Sequence, residues 1–269
     1  MTRIIQISDP HIVPFGQLAY GQVDTAEALA QCVETINRSL PEIGPVDMAI
    51  VTGDLTDFGT PEEYQRFRSL MEPLDMPYRA VPGNHDDAAT MQACFADQDW
   101  MPEEGPVNWV TDFGDLAVIG LDSSVAGHAH GHLSDTTLAF LTTALAARPG
   151  GRVMVALHHP PLLTGIEKMD IQNLRDSRAL QSILSGYDGE LRLTCGHVHR
   201  NILAPFGAVM CQIAPGVSHA VTMDLREGAP NCLTQEPGGF LLHDVRGGIV
   251  THTIPVGLFP GPFLFYPDN

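Results

Sequence analysis

At 269 residues, 44% of them apolar, the chain has length enough for one full core, or one domain with an extension, and no apolar run reaches membrane-spanning length. A formal net charge of −18 repels a phosphate backbone and argues against nucleic acid binding over a long footprint. A small anionic substrate stays open if bound cations set the local field.

The N-terminal Met1 to Ile7 has neither the long apolar stretch nor the small-residue cleavage site of a signal peptide, and Ile4 to Ser8 reads as the first strand. Asp24 to Leu40 has helical spacing, with Ala28, Leu29, Cys32, Val33 and Ile36 on one face and Asp24 as cap. Met48 to Thr52 is the second strand. Thr60-Pro61-Glu62-Glu63 opens a helix, with a Thr cap, Pro at the first helical position and Glu three residues after the cap. Tyr78 to Val81 is the third strand, and Trp109 to Phe113 with Leu116 to Leu121 predict a hairpin about Gly114-Asp115. Ser134 to Ala147 reads as a helix, Arg152 to Leu157 as a strand, Asn173 to Leu184 as a helix and Leu191 to Thr194 as a strand.

Beyond Arg200, Pro and Gly punctuate short β-prone runs at 202–204, 209–213, 239–243 and 249–254, and no helix is identified there. The tail, Pro255 to Asn269, carries Leu258, Phe259, Phe263, Leu264, Phe265 and Tyr266, and is expected to pack on the core or on another subunit. Strands alternating with helices, then further strands, predict a layered α/β sandwich. Residues 1–200 form its core, and 201–269 form a β-rich extension that completes the sandwich and is open to capping the site or mediating oligomerisation. The five cysteines are odd in number and scattered without a C-x-x-C pair, which fits buried, reduced thiols such as Cys195 and makes the cytoplasm the expected location.

Five short motifs punctuate the alternation: Asp9-Pro10-His11, Gly53-Asp54, Gly83-Asn84-His85-Asp86, His158-His159-Pro160 and Gly196-His197-Val198-His199. Side chains at the carboxyl ends of neighbouring strands can converge on one point. Asp9, His11, Asp54, Asn84, His158, His197 and His199 are then seven candidate metal ligands. Asp9 and His11, two apart on an extended loop, point the same way. Gly53 lets the chain turn sharply and present Asp54, whose two oxygens can bridge two cations. Asn84 adds a neutral carbonyl oxygen. Any one of these motifs alone is an ordinary polar loop. Five in order beside strand-like runs point to two metal ions in one site and to hydrolytic chemistry. Oxygen and imidazole ligands without thiolate predict Mn, Fe, Zn or Co.

In order and wording the motifs resemble the calcineurin-like metallophosphoesterase superfamily, and within it the branch of class III cyclic nucleotide phosphodiesterases and bacterial glycerophosphodiesterases. Leu18-Ala19-Tyr20-Gly21, Gly59-Thr60-Pro61-Glu62-Glu63-Tyr64-Gln65, Asn84-His85-Asp86-Asp87, Leu121-Asp122-Ser123-Ser124 and His158-His159-Pro160-Pro161-Leu162 carry the narrower match. The resemblance implies a four-layer αββα sandwich. It implies one metal on Asp9, His11, Asp54 and His199, and a second on Asp54, Asn84, His158 and His197, with Asp54 bridging and His159 a neighbour. Some glycerophosphodiesterase relatives tie subunits by a disulfide where this chain has Phe58 and a cysteine-free tail. A homo-oligomer here would rest on apolar burial.

The expected activity is hydrolysis of a small organic phosphodiester, such as a glycerophosphodiester, by in-line attack of a metal-bound hydroxide. Asp54 and His85 are the expected catalytic residues. His85, beside Asn84, is placed to give the leaving alkoxide a proton or a hydrogen bond, the role the resemblance assigns to it. His85, His219, His128 and Tyr20 are the candidate substrate contacts, with a packing role weighed equally for Tyr20. The loop Gly127-His128-Ala129-His130-Gly131-His132 reads as a metal trap, a substrate-facing loop or a solvated loop. His243 and His252 read as structural. A 3′,5′-cyclic nucleotide phosphodiesterase is the close alternative, and a non-catalytic metal-binding scaffold the alternative of another class. The presence of all seven ligands and His85 favours the enzyme. Neither a membrane nor a nucleic acid polymer is an expected partner.

Overall fold

Strands rich in Ile and Val on both faces must be covered on both faces. In the computed structural model, which describes residues 1–175 and 177–266, they form two sheets. The first joins β1 (Arg3–Ile7), β2 (Met48–Thr52) and β3 (Tyr78–Val81) in parallel, with β12 (Gly239–Val245) antiparallel to β1 and β13 (Ile249–Pro255) outside it. The second contains β4 (Trp109–Asp112), β5 (Ala117–Gly120), β6 (Arg152–Ala156), β7 (Glu190–Cys195), β8 (Ile202–Phe206) and β9 (Val209–Ile213), in the order β4-β5-β6-β7-β9-β8. A short hairpin, β10 (Ala220–Val221) with β11 (Leu233–Thr234), stands apart.

Side chains alternate across β5 and β6 and so divide between two cores. Val118, Met154 and Ala156 pack into one cluster with Ile5 and Ile50 of the first sheet. Ala117, Ile119, Val153 and Val155 turn the other way, onto Leu141 and Leu145 of α4 (Asp135–Ala146) and Leu180 and Leu184 of α6 (Ser177–Ser185). The first sheet's other face meets Leu29 and Ile36 of α1 (Thr25–Ile43), Phe67 of α2 (Pro61–Met71) and Met91 of α3 (Ala88–Cys94). The result is the αββα layering that the resemblance implies.

One polar staple crosses the layers. The buried Gln6 amide on β1 donates to Thr52 Oγ1 (2.9 Å) and to the Cys195 carbonyl (3.0 Å), and accepts from Thr194 Oγ1 and from His243 Nε2 (3.1 Å). His243 is structural, as read from the sequence.

Several elements differ from expectation. The first helix keeps its Asp24 cap but runs through Pro41 to Ile43. The helix expected over Asn173 to Leu184 begins only at Ser177, because Asn173 turns its side-chain amide onto the Leu162 carbonyl and Leu174 bridges Gly131. Asp176, within that expected helix, lies outside the described residues. The short helix α5 (Glu167–Asp170), α3 and the β10–β11 hairpin have no counterpart in the sequence reading. The capping box predicted at Thr60 and Glu63 forms. The apolar tail does not pack on the chain's own core: Leu258, Phe259 and Phe263 to Tyr266 are 61% to 97% exposed. Residues 267–269 of that tail lie outside the described residues. Among the described residues no helix is long and apolar enough to cross a membrane.

Candidate metal centre

Among the described residues only six non-glycine residues take positive φ: Asp9, His11, Tyr20, Asp54, His197 and His199, between 46° and 73°. Five of them are predicted ligands. A left-handed non-glycine residue costs about 1–3 kcal/mol, so this strain is concentrated where the sheets end. It also corrects the sequence reading of Asp9 and His11. They converge through left-handed turns, not through the i, i+2 alternation of an extended loop.

The loops are locked together before any ligand is considered. Backbone bonds Asp9 N to Gly53 O (3.2 Å) and His11 N to Asp54 O (2.9 Å) continue the β1–β2 pairing past the strand ends. The Asp86 carboxylate gathers the amides of Gly83 (2.9 Å), Leu55 (3.1 Å) and Thr56 (3.2 Å) and the Tyr64 hydroxyl (3.1 Å), clamping the β3 loop to the β2 loop. Two glycines mark close approach. A Cβ at Gly53 would stand 2.3 Å from His158 Nδ1, and one at Gly83 would stand 2.2 Å from Asp54 Oδ1.

The seven predicted ligands come together in one cluster, six of them buried and Asn84 partly so. His11 Nε2 lies 3.1 Å from His199 Nε2 and 3.4 Å from Asp54 Oδ2, and His199 Nε2 lies 3.4 Å from Asp9 Oδ1. On the other side His158 Nε2 lies 3.3 Å from Asp54 Oδ2, 3.2 Å from Asn84 Oδ1 and 3.2 Å from His197 Nδ1. Thus Asp54 Oδ2 faces both sets. His159 stacks against His158 and His197 at 4.8 and 4.9 Å, while its Nδ1 meets Ser123 Oγ at 2.9 Å.

The donor set fits cations. His11 Nδ1 donates to Asp57 Oδ1 (3.0 Å) and His158 Nδ1 to the Thr52 carbonyl (2.8 Å), so each ring can turn a lone pair on Nε2 into the cluster. Asp9 Oδ2 is buried with no hydrogen-bond partner. Burial pushes His197 and His199 well below the ordinary imidazole range, and positive neighbours add to this, which keeps both rings neutral. Burial and repulsion from Asp54 raise the Asp9 carboxyl, against the pull of His158. For Asp54 burial works upward, but His158, His85 and His11 outweigh it and hold the carboxyl well below its usual range. Burial opposes the charge on His158, yet Asp54 and Asp9 raise it to about 9. The carboxylate oxygens and imidazole nitrogens lie close enough together to act as donors to shared cations, and the cluster fits a dinuclear metal site.

Two further residues shape the site. Asp57, absent from the sequence reading, sits with Oδ1 3.0 Å from His11 Nδ1 and 3.3 Å from His85 Nδ1, and 3.4 Å from the Tyr20 hydroxyl. His85 Nδ1 also donates to the Asp57 carbonyl (3.0 Å), which leaves its Nε2 without a partner among the described residues. A cavity of about 370 Å³ opens over the cluster, and His85, Tyr20 and His219 line it with His11, Asp54, Asn84, His197 and His199. Tyr20 and His219 meet edge to face at 5.5 Å. The structure does not bring His128 to this cavity: it stacks on His130 at 4.9 Å in an exposed loop. A larger groove, about 1090 Å³ along α2 and α3, contains none of the clustered His and Asp side chains.

Comparison with known proteins agrees with this geometry. The chain is 40% identical over 269 residues to a probable glycerophosphodiester phosphodiesterase, GpdQ, of Arcobacter nitrofigilis, covering 99% of this chain and 97% of that one. It is 31% identical over 258 residues to a cAMP/cGMP dual specificity phosphodiesterase of Mycobacterium tuberculosis, covering 94% and 79%. A dimetal phosphatase of Danio rerio shares the fold, with a TM-score of 0.65 at 12% identity over 95% of this chain and 99% of that one. The calcineurin-like phosphoesterase profile matches residues 2–201, and the chain belongs to that family.

Proposed function

We propose that the chain is a dinuclear metal-dependent phosphodiesterase of small organic diesters, with glycerophosphodiesters as the leading substrate class. The observation that carries this reading is the position of Asp54 Oδ2, 3.4 Å from a nitrogen of one ligand set and 3.3 Å from a nitrogen of the other. Asp9, His11, Asp54 and His199 would hold one ion, and Asp54, Asn84, His158 and His197 the other. The pair would be drawn from Mn, Fe, Zn and Co. When bound, two such ions lower the pKa of water and draw charge from phosphoryl oxygens.

The chain's own residues supply the rest. Asp57 fixes the His85 ring through Nδ1, and Nε2 is free to donate to the departing alkoxide oxygen. Tyr20 and His219 border the same cavity, within reach of the substrate's non-reacting part. His128 is retained as a contact only for a substrate long enough to reach its loop. The name and 40% identity of the Arcobacter relative support the glycerophosphodiester class. The Mycobacterium relative favours cyclic nucleotides as a second reading. Measuring kcat/KM on glycerophosphoethanolamine and on cyclic AMP separates the two. A higher value on the first is expected, and a higher value on the second reverses the order.

Residues 1–200 carry every proposed ligand, and the strands between Ile202 and Pro255 extend both sheets while the β10–β11 hairpin walls the cavity. The exposed apolar tail supports a homo-oligomer formed through it. The five thiols are all unpaired, including Cys195 and Cys211 with sulfurs 3.8 Å apart, which supports a reducing, cytoplasmic setting.

A further inference from the structure

The cavity over the cluster has one wall that the proposed chemistry leaves without a role. Met169 and Gln172 contribute to it from α5 and the turn after it, and Val221, Asn231 and Leu233 from the β10–β11 hairpin and the loop inside it. The chemistry of this wall is selective. No Lys or Arg is among the described residues that line the cavity, so a second phosphate or a carboxylate on the substrate would meet no cation there. Among the described residues this wall itself carries no aromatic ring; the rings that line the cavity, Tyr20 and the histidines, stand outside it. Between aliphatic side chains stand two primary amides, Gln172 and Asn231, and neither side chain has a hydrogen-bond partner among the described residues.

The wall is built and held. The Arg200 guanidinium bonds the Val221 carbonyl at 2.7 Å and both oxygens of Glu236 at 2.9 Å. The Gly228 amide donates to Glu167 Oε2 at 2.7 Å, tying the hairpin loop to α5, and Gln235 Nε2 donates to the Gln22 carbonyl at 3.2 Å. These bonds hold the segments that carry Gln172 and Asn231, whose unbonded side-chain amides stay available as donors and acceptors. Each amide both donates and accepts, as a hydroxyl does, so vicinal hydroxyls match the pair. A substrate that covers these amides without bonding them leaves polar groups unpaired and is rejected.

Resting on the phosphodiesterase reading above, we propose that Gln172 and Asn231 are specificity determinants that select diesters of a polyol, through the free hydroxyls beside the ester bond. The test replaces the amides with apolar groups of similar size, Gln172→Met and Asn231→Leu, singly and together, in the metal-loaded full chain. It compares kcat/KM on glycerophosphoethanolamine with that on bis(4-nitrophenyl) phosphate, which has no hydroxyls. It also measures inhibition by sn-glycerol 3-phosphate and the metal content of each variant.

The double variant is expected to lose about tenfold or more on the polyol diester, mainly in KM, with inhibition weakened to match, and to stay within about twofold on the aryl diester. Metal content is expected to hold. Equal losses on both substrates, or full retention on the polyol diester, overturn the proposal. Asn231→Ser, which keeps a donor and an acceptor, guards against misfolding and is expected to retain more polyol activity than Asn231→Leu; the reverse order also overturns it. A wild-type chain active on the aryl diester but not the polyol diester contradicts this inference and the glycerophosphodiester class, and leaves the metal phosphodiesterase reading standing. One inactive on both contradicts the phosphodiesterase reading beneath it.

Discussion

The backbone amide of His85 donates to Asp54 Oδ1 at 2.9 Å. This bond occupies one oxygen of the carboxylate and turns the other, Oδ2, to the two imidazole sets. It also fixes the His85 backbone against the residue proposed to bridge the ions. The proposed acid and the proposed bridge are therefore positioned by one bond.

His85→Ala is expected to lower kcat on glycerophosphoethanolamine by about 10²–10³-fold, the usual worth of a positioned general acid. Metal content, read by mass spectrometry, should not change. On bis(4-nitrophenyl) phosphate, whose phenolate leaves without a proton, the loss should be much smaller. Equal losses on the two substrates would remove His85 from the leaving-group role.

Asp57→Asn keeps the shape but removes the charge that His11 Nδ1 and His85 Nδ1 share. Partners of this kind behind a ligand cost about 10–100-fold when changed. The expected outcome is a loss of that size in kcat/KM with weaker retention of metal on dialysis. Unchanged turnover and unchanged metal retention would make Asp57 a bystander.

Much of this site was legible in the sequence, because its proposed ligands are chemically distinctive and stand just past apolar runs. The bounds of β2 and β3 follow from runs that stop at Gly53-Asp54 and Pro82-Gly83. Left-handed backbone at Asp9, His11, His197 and His199 was not legible, since no glycine or asparagine marks it. Asp57 drew no reading from the sequence, because it stands in the loop ahead of the Thr60 cap and outside the five motifs. The helix α3 is seven residues long, too short for a periodic pattern, although Asp87 with Thr90 is a cap signature. The cavity wall depends on Gln172 and Asn231, remote in sequence, lining one cavity in the fold.

His243 gives a stability test away from the ligands. Burial, with help from Arg192, pushes its pKa from 6.5 down to about 3. The folded chain therefore keeps it neutral, while the unfolded chain takes up a proton below about 6.5. Nothing is lost at pH 7. As pH falls below that point, stability declines by about 1.4 kcal/mol per unit from this group until the folded pKa is reached. His243→Gln is expected to flatten the pH dependence of urea unfolding between pH 6 and 4 by about that slope. Parallel curves for variant and wild type would contradict the assignment.

Deleting residues 258–269 removes Phe259, Phe263, Phe265 and Tyr266, all large and exposed. Light scattering should show the intact chain as an oligomer at micromolar concentration and the shortened chain as a smaller species. An intact chain that is already monomeric would contradict oligomerisation through the tail.

The most direct measurement is anomalous diffraction from crystals of the metal-loaded chain, paired with the same experiment on Asp54→Asn. Two ions per chain are expected, each about 2.0–2.2 Å from an oxygen of Asp54, with fewer ions bound in the variant and diester turnover lost with them. A single ion, or two ions that do not share Asp54, would contradict the account.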